Sequence, residues 1–105
     1  MSVQVVLRDC LAGKRPTIQD VAQELSLSVR TLQRRLSESK VTFQELLEDV
    51  RRELAHDYLQ QAAVEFNEVA FLLGYEDTNS FFRAFQEWEG VSPTVWRRRN
   101  VRPNP

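Results

Sequence analysis

The sequence predicts an all-α fold of about seven helices, in which two similar helix pairs flank one long helix. Three observations carry that prediction. A short pattern occurs twice, Val21-Ala22-x-x-Leu25-Ser26-Leu27 returning as Val69-Ala70-x-x-Leu73-Gly74-Tyr75. Each copy precedes a stretch of helical character bearing a basic residue, Leu32-Gln33-Arg34-Arg35-Leu36 and then Phe81-Phe82-Arg83-Ala84-Phe85. Apolar residues recur at three- and four-residue spacing, capping residues stand where the periodic runs begin, and no segment makes a convincing strand.

Taken in order, Val3, Val6, Leu7, Cys10 and Leu11 share one face of a first helix over residues 3–12, and Gly13 and Pro16 punctuate the turn after it. Thr17 and Asp20 form a capping arrangement, Asp standing for the usual Glu, and open a helix that turns Ile18, Val21, Ala22 and Leu25 inward. Ser26-Leu27-Ser28 is a tight connection. Ser28 caps a helix over roughly 29–38, with Val29, Leu32 and Leu36 toward the core and Arg30, Gln33, Arg34 and Ser37 along one outward stripe. Thr42-x-x-Glu45 is a capping box, and the helix it starts, over 43–60, is about 26 Å long at 1.5 Å per residue. It buries Leu46, Leu47, Val50, Leu54, Tyr58 and Leu59 and makes a rigid spacer. Phe66, Val69, Ala70 and Leu73 rebuild the short helix, which Gly74 ends in the left-handed region. Asp77 or Thr78 caps a helix over 79–88 anchored by Phe81, Phe85 and Trp88, and Ser92-Pro93 opens a last short helix carrying Val95 and Trp96. Trp88 and Trp96 close the core of this half.

A short helix, a sharp turn and a second helix make a helix-turn-helix unit. The expected organisation is therefore a first lobe over 1–41, a linker helix over 42–61, a second lobe over 62–99 and a flexible tail over 100–105. Ala22 and Ala70 are small where two helices must cross closely, since a larger side chain would push the second helix out of line.

The bulk numbers exclude several classes of function. With 105 residues, 42% of them hydrophobic and 28% charged, the chain can bury a core and is a poor candidate for disorder. No apolar run approaches the roughly 20 residues of a membrane span, and Val3–Leu7 is too short for a secretory leader. A single cysteine, Cys10, on the apolar stripe of the first helix, reads as a core filler, and His56 has neither a second histidine nor a cysteine cluster to share a metal. Three glycines provide no nucleotide-binding loop, and paired-carboxylate chemistry would need a pocket that so small a helical domain hardly encloses. The acids of residues 45–53 fall beside Arg51 and Arg52 as ordinary surface pairing. The expectation is a cytoplasmic protein that binds rather than catalyses, with no cofactor, no metal and no membrane contact.

The outward residues suggest what it binds. A second helix braced by a first can enter the major groove of duplex DNA, where arginine meets guanine and glutamine meets adenine. Arg30, Gln33 and Arg34 stand at such positions in the first copy, and Asn79, Ser80, Phe82 and Arg83 are their counterparts in the second. Phe82 can pack on thymine methyls or wrap back onto the core. Thr31, Arg35, Gln86 and Arg97 are the candidate phosphate contacts, and Arg97–Arg99 face either the duplex backbone or an adjacent domain. The net charge of −1 opposes this reading. Its distribution favours it: Arg30, Arg34 and Arg35 occupy a stretch without acids, while Glu45, Glu48, Asp49 and Glu53 and then Glu65, Glu68, Glu76 and Asp77 cluster elsewhere. The alternative is a helical protein-interaction module with weak or lost DNA binding.

Three stretches carry a family likeness: Val21-Ala22-x-x-Leu25-x-Leu27-Ser28-x-Arg30-Thr31-Leu32-Gln33-Arg34-Arg35-Leu36, then Val69-Ala70-x-x-Leu73-Gly74-Tyr75-x-Asp77-x-x-x-Phe81-x-Arg83-Ala84-Phe85, and Trp88-Glu89-Gly90-Val91-Ser92-Pro93-x-x-Trp96-Arg97. Over residues 3–99 the chain resembles the C-terminal DNA-binding domain of the arabinose/xylose-type (AraC/XylS) bacterial transcriptional regulators. The resemblance implies two helix-turn-helix lobes set in successive major-groove segments of double-stranded DNA. It places Arg30, Gln33 and Arg34, and then Asn79, Ser80 and Arg83, at base-reading sites. It further implies a separate sensor or dimerisation domain in a larger regulator, which recruits or repositions RNA polymerase. Lys40 stands where that family often has glycine, Phe82 where it has a small polar residue, and Trp96 where it has tyrosine.

Overall fold

Seven helices follow one another in the computed structural model, which describes residues 3–11 and 16–101: α1 (Val3–Cys10), α2 (Ile18–Glu24), α3 (Val29–Glu38), α4 (Phe43–Leu59), α5 (Phe66–Leu72), α6 (Thr78–Glu89) and α7 (Pro93–Asn100). Local chemistry sets most of their starts. Thr17 Oγ1 accepts the Asp20 N–H at 3.2 Å while Asp20 Oδ2 accepts the Thr17 N–H at 2.9 Å, a complete capping box. Ser28 Oγ accepts Thr31 N–H at 3.1 Å, Thr42 Oγ1 accepts Glu45 N–H at 3.1 Å, and Ser92 Oγ accepts Val95 N–H at 3.2 Å. Between the two candidates at the head of α6, Asp77 is the cap and Thr78 the first helical residue; Asp77 Oδ1 accepts Ser80 N–H at 2.7 Å. Among the described N-caps, Glu65, heading α5, makes no side-chain cap.

The repeated pattern becomes one turn made twice. After α2, Leu27 N–H reaches Ala22 O at 2.9 Å and Ser26 N–H reaches Gln23 O at 3.0 Å. After α5, Tyr75 N–H reaches Ala70 O and Gly74 N–H reaches Phe71 O, each at 3.0 Å. Both turns place their second residue at positive φ, 57° for Ser26 and 81° for Gly74. The second turn is one residue longer, Tyr75-Glu76 standing where the first has Leu27 alone before the cap.

Two cores result. In one, Val6, Leu7 and Leu11 meet Val21, Ala22, Leu32 and Leu36 against Leu47 and Val50 of α4. In the other, Val69, Ala70, Leu73, Phe81 and Phe85 close on Ala55 and Leu59 of the same helix. Each fully buried large side chain contributes about 1.5–3 kcal/mol relative to exposure. Leu54 packs against both. The molecule is drawn out along one axis, 49 × 24 × 22 Å.

Three readings from the sequence change. Helix α1 ends at Cys10; Leu11 follows as a buried turn residue whose N–H still bonds Leu7 O at 3.0 Å, while Ala12 and Gly13 lie outside the described residues. Asn100, assigned to the tail, closes α7, its Nδ2 donating to Trp96 O at 2.8 Å; residues 102–105 lie outside the described residues. Arg51 pairs with Glu48 at 3.5 Å, as its spacing predicts, but it does not lie at the surface. It is buried at 7% exposure, because its helical position lies on the face that carries Leu47, Leu54 and Ala55.

Candidate nucleic-acid interface

The two helix-turn-helix second helices, α3 and α6, present the predicted residues at matching places. In α3, Leu32 and Leu36 point inward, which leaves Arg30, Gln33, Arg34 and Ser37 exposed. Arg35 is exposed too. In α6, Phe81 and Phe85 take the inward positions, and Asn79 and Arg83 are exposed where α3 has Arg30 and Arg34. Ser80 and Thr31 are half-buried beside the caps; Thr31 Oγ1 accepts the Ser28 hydroxyl at 2.9 Å.

Electrostatics explain how a chain of net charge −1 shows arginine on these helices. Arg8 pairs with Glu53 at 3.3 Å and Asp57 at 3.4 Å, Arg51 with Glu48 at 3.5 Å, and Arg52 with Glu89 at 2.7 Å, so these bridges all involve the acids and bases of α4. Among the described residues, Arg30, Arg35, Arg83, Arg98 and Arg99 form no ion pair, and Arg34 makes only a loose exposed one with Glu38 at 3.9 Å. A pair so exposed is worth about 0–1 kcal/mol and yields readily to a stronger anion. The arginines around the spacer are taken up by neighbouring acids, while those on α3 and α6 are left without a close acidic partner. At the head of α6 the Ser80 backbone N–H, then the Ser80 hydroxyl and the nearby Arg83, hold Asp77 below the usual carboxylate range.

Three expected contact residues have other engagements. Phe82 lies half-buried, edge-on to Phe66 at 5.5 Å and to Phe81 at 6.0 Å, so its ring folds back on the second core. Gln86 Nε2 donates to Gly90 O at 2.8 Å, closing the C-terminus of α6. Arg97 donates from Nε to Leu59 O at 3.1 Å and from Nη2 to Gln61 O at 3.3 Å, with its guanidinium 4.6 Å from the Phe66 ring centre. Partial burial lowers its pKa from the ordinary value. The guanidinium holds the end of α4 against α5 and α7.

The sequence reading missed residues that tie the spacer helix to the second lobe and one that closes α3. His56 Nε2 and Arg52 both bond the nearly buried carboxylate of Glu89, and the His56 ring stacks on Trp96 at 5.0 Å. Lys40 sits at φ 59° and closes α3 through a bond from its N–H to Ser37 O at 3.0 Å. Its place where glycine is frequent was the available signal.

Residues 21–99 match the family described as a helix-turn-helix domain. The chain belongs to that family. Relatives of this helix-turn-helix domain are regulators: it is 41% identical over 85 residues to the ornithine utilization regulator of Pseudomonas aeruginosa, covering 81% of this chain and 25% of that protein. Two solved structures are similar. One is the DNA-binding transcriptional dual regulator from Escherichia coli K-12, with TM-score 0.85, 26% identity and coverage of 92% of this chain and 86% of that one. The other is the transcriptional regulator CdpR from Pseudomonas aeruginosa, with TM-score 0.76, 35% identity and coverage of 92% and 32%. The domain spans about a quarter of the length of the curated relatives it matches. No helix among the described residues is long and apolar enough to cross a membrane.

Proposed function

We propose that this helix-turn-helix domain is the DNA-reading part of a cytoplasmic bacterial transcriptional regulator of AraC/XylS type, and that it binds duplex DNA sequence-specifically. Each lobe takes one major-groove segment. The carrying observation is that the same hydrogen-bonded turn occurs twice and delivers an unburied arginine, Arg34 and Arg83, from the same place on its second helix. The 49 Å axis exceeds the ~34 Å duplex turn that separates successive major-groove faces. Relatives named as transcriptional regulators support the reading.

Arg30, Gln33, Arg34, Asn79 and Arg83 are the base readers, with Ser80 at the rim and Arg35 and Thr31 toward phosphate. Phe82, Gln86 and Arg97 act from within the fold, where their contacts already hold them. A sensor or dimerisation domain and RNA polymerase are the partners proposed for the longer regulator. The protein-interaction alternative leaves the duplicated arginine positions without a purpose.

Selection of duplexes from a random pool tests this reading. The expected outcome is one enriched site with two separated blocks of preferred bases. Affinity for it should fall steeply with salt, by about 0.9 in log affinity per log salt for each phosphate neutralised. No enrichment, or a flat salt response, would overturn it.

A further inference from the structure

One polar chain, buried at Arg51, links the spacer helix to both helices of the second helix-turn-helix pair. Trp88 of α6 donates from Nε1 to Glu48 Oε2 at 3.0 Å. Glu48 Oε1 lies 3.5 Å from Arg51 Nη1. Arg51 Nε donates to Leu73 O at 3.0 Å, and its guanidinium lies 4.8 Å from the centre of the Tyr75 ring. Leu73 is the C-cap of α5 and Tyr75 belongs to the turn that aims α6. A single planar cation thus touches the end of the first helix, the turn, and through Glu48 the second helix.

Arg51 stands on α4 between Val50, which belongs to the first core, and Ala55, which belongs to the second. Arg52 and His56 hold Glu89 of α6, and Arg97 holds the C-terminal end of α4. At the junction between the two cores, however, Arg51 is the polar tie to the turn that aims α6. Apolar packing alone would be non-directional there and would tolerate rotation about α4. A guanidinium fork is different: its donors meet their acceptors over a narrow range of angles. Replacing buried ion pairs by apolar residues is often neutral for stability, so stability alone is a weak reason for such a group.

We infer that Arg51 is a positioning residue that fixes the rotation of the second lobe relative to the first, and so fixes the spacing of half-sites the chain accepts. The first lobe has no counterpart among the described contacts; its ties to α4 are apolar, apart from exposed Arg8. The inference rests on the DNA reading proposed above for its consequence in binding, but its structural content stands without DNA.

Two measurements on Arg51→Met test it. In the free chain, residual dipolar couplings of the wild type should fit a single alignment tensor for both lobes. In the variant the two lobes should need tensors of different magnitude, because they move separately. On DNA, the probes are the duplex selected by the wild type and the same duplex with one base pair added between its half-sites. The insertion rotates one half-site by about 34° and should cost the wild type about ten-fold, the worth of one base contact. In the variant that cost should shrink to about three-fold or less, because the lobes readjust, with binding to a duplex carrying the first half-site alone unchanged. A single shared tensor in the variant, or an undiminished insertion penalty beside equal losses on every duplex, would reduce Arg51 to a packing residue. A wild type that selects no duplex would sink the DNA reading while the couplings still decide the role of Arg51. Should Arg51→Met not fold, Arg51→Lys carries the same readouts, since it can reach Leu73 O but cannot lie flat on Tyr75.

Discussion

The first lobe holds its outward helix with aliphatic side chains, Val21, Leu32 and Leu36, whereas the second uses rings. Phe85 alone meets Phe81 at 5.8 Å, Trp96 at 6.0 Å, His56 at 6.0 Å and Trp88 at 6.2 Å. The same turn is therefore supported in two ways, with different effects on the exposed face. Aliphatic packing is satisfied on one side of α3, so Gln33 remains free to face a ligand. Aromatic packing extends round α6 as far as Phe82, at the place equivalent to Gln33, and removes that position from the polar stripe. The first lobe exposes Arg30, Gln33 and Arg34 where the second exposes Asn79 and Arg83 beside a half-buried Ser80.

Truncating the rings is the severest way to break this comparison. Phe85→Ala should cost about 3–5 kcal/mol in urea unfolding. A loss below about 2 kcal/mol would mean that the rings do not constitute the second core. Arg34→Ala comes next, weakening binding to the selected duplex by about 1–3 kcal/mol and blurring one base position. Phe82→Ala should instead lower stability by about 1–2 kcal/mol and leave the base preferences of the selected site as they were. A changed preference would return Phe82 to the reading face.

Smaller effects sharpen the contrast at the helix ends. Lys40 and Gly90 follow α3 and α6 at φ 59° and 76°. Lys40→Gly should raise stability by up to about 1 kcal/mol, and Gly90→Ala should lower it by about 1–2 kcal/mol. A β-carbon at Gly90 would meet no atom within 4 Å, so the backbone conformation is the whole cost. Melting temperatures of the two variants should move in opposite directions. The smallest effect is at the caps. Asp77 is depressed in the folded chain, so its contribution is present above the ordinary aspartate range and disappears as pH falls through the depressed value. Ser28, capping α3, does not titrate. An acid titration followed by amide NMR should loosen the head of α6 before that of α3, and Asp77→Asn should abolish the difference.

Features written in local chemistry were legible from the chain alone. Thr17, Ser28, Thr42, Asp77 and Ser92 act on the next turn of backbone, so their roles follow from near neighbours. The apolar positions of the repeated turn were equally readable, and Gly74 marked its left-handed residue in the second copy, whereas Ser26, at φ 57° in the first, carries no such mark. Arg51 and Arg97 were not, since their acceptors, Leu73 O and Leu59 O, are backbone carbonyls distant in sequence and carry no side-chain signature. Acids flanking Arg51 drew it toward the surface, although its shared face with Leu47 and Ala55 was the better guide. Exposure of Arg30, Gln33, Arg34 and Arg83 agrees with the helical period, whereas the fate of Phe82 depended on whether Phe66 would come within reach.

Leu54 adds a constraint of a different kind. Its side chain completes the packing of both halves, so a cut or a graft anywhere along the central rod strips a residue from one of them. Exchanging one half with that of a relative would have to carry the rod along with it.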